Sequence, residues 1–77
     1  MNDSKILDDI SDLLQEERRL REHVVLPETY RQRLSQLAEQ LDQCWDLLRQ
    51  RRAKREFGED PASAHLRDVD TVRKYEG

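Results

Sequence analysis

Between Leu34 and Leu48 the apolar residues fall at Leu34, Leu37, Leu41, Cys44 and Leu48, a 3-4-3-4 rhythm that keeps one seam on one side of an α-helix. No Gly or Pro interrupts the chain from Glu28 to about Phe57, and Gly58 follows Arg and Lys residues that favour a helix C-terminus. One continuous helix over about 28–57 is predicted. An earlier helix, over about 4–24, follows from Ile6, Ile10, Leu13, Glu17, Leu20 and Val24 at the same spacing. Ser4 or Asp3 is its expected N-cap, with Asp8, Asp9 and Asp12 near the positive end of its dipole. The β-branched residues before Pro27 and the bias that Pro27 imposes on Leu26 place a turn at about 23–27, with Pro27 in the first turn of the second helix.

At a rise of about 1.5 Å per residue the second helix is roughly 45 Å long and the first under about 30 Å. The predicted fold is therefore all-α: an antiparallel hairpin of a short and a long helix in one small domain, 1–77. Leu13 is expected opposite Leu37 and Ile6 opposite the Cys44 region, leaving Leu48 to Phe57 to overhang. The tail, 58–77, reads as partly helical or extended, with Asp60-Pro61 as a helix entry and Leu66, Val69, Val72 and Tyr75 recurring every third residue. Folded back, those apolar residues would meet Leu48 and Phe57, and Asp68 and Asp70 would lie near Arg51, Arg52 and Arg55.

A two-helix pair needs one seam on each helix, yet Leu7 and Leu14 flank the first seam and Ala38, Trp45 and Leu47 the second. The surplus predicts a second copy, with two hairpins closing into a four-helix bundle as a homodimer. The expected core and self-association residues are Ile6, Ile10, Leu13, Leu14, Leu34, Leu37, Leu41, Cys44, Trp45 and Leu48. A monomer closed by its own tail is the competing arrangement.

Size points the same way, because a chain of 77 residues buries little core unaided. Charged residues form 40% of it and hydrophobic ones 35%, which suits long solvated helices and, given the periodicity, excludes wholesale disorder. The formal net charge of -3 argues against a general nucleic-acid binder, but the charge is unevenly placed. Residues 1–17 hold six carboxylates and one Lys, whereas 49–55 hold five cations and no acid. A lone cysteine, Cys44, excludes an internal disulfide and fits a cytoplasmic protein, and no apolar run is long enough for a membrane span or signal peptide. The sequon Asn2-Asp3-Ser4 carries no weight without a secretion signal.

Little chemistry is written into the chain. Glu17 on the seam needs a cation, and Arg33, Arg31 and Arg21 are in reach as a rim salt bridge. A carboxylate metal site in a bundle needs Glu-x-x-His motifs, and no Glu here has His three residues on. Cys44 reads as a buried inert thiol, with a redox contact between chains as the alternative. Trp45 fits either core packing in a dimer or an anchor for another protein. Arg49, Arg51, Arg52, Lys54 and Arg55 complement the helix dipole, or grip phosphate or an acidic partner. His23 and His65 have no nucleophile companion and read as solvated; there is no glycine-rich phosphate loop, Cys-x-x-Cys or serine-nucleophile motif.

The segment Leu41 to Pro61, above all Leu41-Asp42-Gln43-Cys44-Trp45-Asp46-Leu47-Leu48-Arg49-Gln50-Arg51-Arg52, together with Glu16-Glu17-x-x-Leu20-Arg21, resembles a family of short actinobacterial proteins known only as a domain of unknown function. The resemblance spans nearly the whole chain and implies a small helical protein with no assigned activity and no catalytic residues to carry over. Residues and resemblance together lead to a self-associating structural or protein-binding module, not an enzyme, with no cofactor, metal or membrane partner. The alternative is a nucleic-acid accessory protein acting through residues 49–55.

Overall fold

Asn2, with extended backbone, closes the first turn of α1 (Asp3–Arg21): its side-chain oxygen accepts from the Lys5 amide at 2.8 Å. The cap is thus Asn2, where the sequence pointed to Ser4 or Asp3. Asp3 is already inside the helix, and its carboxylate is engaged by arginines described below. In this computed structural model, which describes residues 2–23, 25 and 27–76 with the backbone alone at 75 and 76, α1 is followed by α2 (Glu28–Glu56) and α3 (Val69–Glu76). Among the described residues no strand occurs, and the protein is all-α. Val24 and Leu26 of the predicted turn, and the Tyr75 side chain, lie outside the described residues.

Pro27 stands just before α2 rather than in its first turn, and its carbonyl accepts from the Tyr30 and Arg31 amides at 2.9 and 3.1 Å. At the other end Gly58 takes φ 73°, the left-handed conformation that glycine adopts without penalty. Its amide donates to the Arg55 carbonyl and that of Glu59 to the Lys54 carbonyl, the paired bonds of a Schellman cap. The chain reverses there. Asp60 then caps a single 3₁₀ turn, Pro61–Ser63, through the Ala62 amide, and Asp68 caps α3 through the Thr71 amide at 2.8 Å.

α2 is the spine, with α1 on one side and the returning tail on the other; among the described residues α1 and α3 do not meet. The longest extent of the molecule, 49 Å, is little more than the length of α2. Ile6, Ile10, Leu41 and Leu47 form the core cluster, with Leu13, Cys44, Leu48 and Ala64 packed against it. Leu37 and Val72 are also fully buried, Val72 fastening α3 to α2. Glu16 pairs with Arg33, and Asp3 with Arg51 and Arg55, which sets the antiparallel register at both ends of the hairpin.

Two expectations are corrected here. The overhang is shorter than predicted, since the first turn of α1 reaches Arg51 and Arg55. The tail also docks by different chemistry. Leu66 and Phe57 stay exposed, and Asp68 turns back to cap its own helix rather than meeting the basic end of α2. It is the tail's cations, Arg67 and Arg73, that reach acids on α2, Asp46 and Asp42.

Candidate interaction surface

The ten residues expected to form the core and self-association surface divide into three groups. Ile6, Ile10, Leu37 and Leu41 are buried; Leu13, Leu34, Cys44 and Leu48 are half-buried; Leu14 and Trp45 are exposed. Leu7, 49% exposed, joins Leu14 at 46% and Trp45 at 44%. Their positions are related. At about 100° per residue, Leu7 and Leu14 lie on the flank of α1 opposite Asp9, Asp12 and Glu16, and Leu34, Ala38 and Trp45 on the flank of α2 opposite Gln40 and Leu47. The second set in each case lines a common groove between the helices, so the first set shares the other side of the hairpin. The ion-paired register puts Leu7 about level with Trp45 and Leu14 with Ala38. One apolar face, drawn from both helices, therefore lies on the side that the tail does not cover.

The side of α2 away from α1 was not legible as an interface. Asp46 is only 1% exposed, and Arg67 grips both of its oxygens, with Nε–Oδ2 at 2.9 Å, while Gln50 donates to Oδ2 at 2.8 Å. Charge-assisted bidentate pairing of this kind offsets the desolvation of a buried carboxylate. The Arg67 guanidinium, and then Gln50, hold the Asp46 carboxyl below the usual aspartate range despite its burial. Gln50 also donates to the His65 carbonyl and Gln43 to the Arg67 carbonyl, so two amides on α2 satisfy tail backbone that has no helix of its own. Leu47, expected as a flanking residue, is buried between α1 and this clasp.

The basic end of α2 is interleaved with acids. Asp3 receives Arg51 Nε at 2.6 Å and Arg55 Nη2 at 2.8 Å, and Arg55 and then Arg51 hold its carboxyl below the ordinary range. Arg52 faces Glu56 at 3.3 Å and Lys54 faces Glu59 at 3.7 Å, while Arg49 stands exposed. Near the turn Glu17 pairs with Arg21 along α1, one of the three cations in its reach, while the Arg33 guanidinium goes to Glu16 and lowers the Glu16 pKa. Burial, and then the nearby Asp9 charge, push the Cys44 thiol up, a direction that disfavours the thiolate. His23 stacks obliquely on Tyr30, ring centroids 4.8 Å apart. Among the described residues no three His, Cys, Asp or Glu side chains gather as metal ligands, and no helix is long and apolar enough to cross a membrane.

Comparison with known proteins finds relatives described only as uncharacterized. The chain is 44% identical to uncharacterized protein Mb0922c of Mycobacterium bovis and to uncharacterized protein Rv0898c of Mycobacterium tuberculosis, over 97% of this chain and 91% of each relative. No solved structure matches it. A family model described as a protein of unknown function, DUF2630, matches residues 2–77, and the chain belongs to that family.

Proposed function

We propose that the protein is a non-catalytic helical interaction module that pairs with a second copy through the face carrying Leu7, Leu14 and Trp45, in the cytoplasm where Cys44 stays a thiol. The observation that carries this reading is the placement of those three large apolar side chains, each nearly half exposed, on one side of the hairpin. Monomeric proteins expose scattered apolar residues, but a patch built jointly by two helices around a Trp is the composition of an interface core. A second copy fits it because the patch can meet itself about a two-fold axis, and two hairpins so paired make a four-helix bundle. Association would also add buried area to a chain with little core of its own.

The phosphate-binding reading of residues 49–55 has less behind it, because Arg51, Arg52, Lys54 and Arg55 each have a carboxylate partner. Light scattering over a hundredfold range of concentration tests the proposal: a dimer that dissociates on dilution is expected. Trp45→Glu should shift the mass to monomer with helicity retained, since Trp45 is not part of the hairpin's buried core. A wild-type monomer at every concentration would overturn it.

A further inference from the structure

On the side of the hairpin away from Leu7 and Leu14 lies an open groove of about 420 Å³, with α2 as its floor, α1 as one wall and Leu66 of the tail at its far edge. Ile6, Leu13, Cys44 and Leu47 make its base apolar. Every charged residue lining it is acidic: Asp9, Asp12 and Glu16, on one flank of α1. Glu16 already holds Arg33, and among the described residues Asp9 has only Lys5 as an ion-pair partner, at 3.6 Å, on an exposed stretch of helix. Asp12 is exposed and has no cation beside it among the described residues.

We propose that this groove is a docking site for a cationic amphipathic helix of a partner protein. Charge complementarity selects the sign of the partner, and geometry selects the helix. The carboxylates at positions 9, 12 and 16 follow 3-4 spacing and extend over about 10 Å, two helical turns. A helix laid alongside α1 presents apolar residues at i, i+3 or i+4, and i+7 to the groove base, and Lys or Arg at its edge to that row. The apolar base gives such a helix something to bury, which a purely electrostatic contact lacks. Docking here does not compete with pairing through Trp45, because the two surfaces lie on opposite sides of the hairpin, and a protein found to be monomeric would retain the groove.

The probe is an 18-residue Leu/Lys peptide with an amphipathic helical pattern, beside a control in which Glu replaces every Lys. Titration into the isotopically labelled full chain should move the side-chain signals of Leu13, Gln40, Gln43 and Leu47, which line the groove, for the Lys peptide, whose binding weakens with salt, and leave them in place for the Glu peptide. Asp9→Asn with Asp12→Asn should weaken the Lys peptide by about fivefold to tenfold, as expected for two solvent-screened charge contacts. Both positions lie outside the buried core, so the fold is retained, and circular dichroism checks it. Equal binding of the two peptides, or shifts confined to the Leu7 and Trp45 face, would overturn the proposal.

Discussion

α2 is held on its two sides by opposite chemistry. Toward α1 it offers Leu37, Leu41, Cys44 and Leu48, and the contact is a continuous apolar seam closed at each end by an ion pair. Toward the tail it offers Asp42, Gln43, Asp46 and Gln50, and the contact is a set of directed polar bonds around one buried carboxylate, with Val72 as its apolar anchor. A seam loses stability gradually as residues are trimmed, because its energy is spread over area. A clasp depends on a single pair and fails when either member is removed.

The most damaging substitution should be Leu37→Ala, at a fully buried seam position, which is expected to cost about 2 to 5 kcal/mol of global stability by urea unfolding. Arg67→Ala should come next, at roughly 1 to 3 kcal/mol. Its loss is bounded, because the tail can leave α2 and rehydrate Asp46. Amide exchange should therefore quicken across 69–76 while 28–50 stays protected, and uniform loss of protection would show that seam and clasp unfold as one unit.

Acid gives a reversible version of the same test. The Asp46 pKa is lower in the folded protein than in the unfolded chain, so its contribution is complete above the unfolded value, about 4, and is lost as pH falls through the lower folded value. Tail release, followed by amide exchange or by proteolysis at 64–68, should begin below about pH 4, with Asp46→Asn already loosened at pH 7. Asn2→Ala should cost about 1 kcal/mol through the lost cap, read as a lower melting temperature. The smallest effect belongs to Phe57→Ala, at 81% exposure: within about 0.5 kcal/mol. A larger loss there would mean that the end of α2 is covered in solution.

The same contrast explains how much could be read in advance. The seam was legible because its signal repeats: five residues at 3-4 spacing fix a face, and Gly58 marked the end of α2. Trp45 and Leu14 were legible as apolar residues beyond what a hairpin needs. The clasp repeats nothing. Asp46 lies among Trp45, Leu47 and Leu48 on the flank away from the seam, where an acid normally faces water, and its partner is 21 residues away with no periodicity linking them. The available hint was chemical, a polar row at Asp42, Asp46 and Gln50 with i, i+4 spacing, matched by Arg67 and Arg73 in the tail. Reading the tail's acids against the basic end of α2 took the right principle to the wrong charges, because Asp3 had already met Arg51 and Arg55.

The reversal at Gly58 also starts a second ladder of contacts whose sequence separations grow from short to long. Glu16 and Arg33, next to the first turn, are 17 residues apart, whereas Asp3 and Arg51 at the far end of the hairpin are 48 apart. From Gly58 the separations grow again, 10 for Arg51 with Pro61, 15 for Gln50 with His65 and 21 for Asp46 with Arg67. Each contact shortens the loop that the next must close, and closure entropy rises only with the logarithm of loop length. The contacts are thus laid out as two ladders that start at opposite ends of α2 and run past each other along it, the short-to-long nesting that goes with fast folding in helical proteins of low contact order.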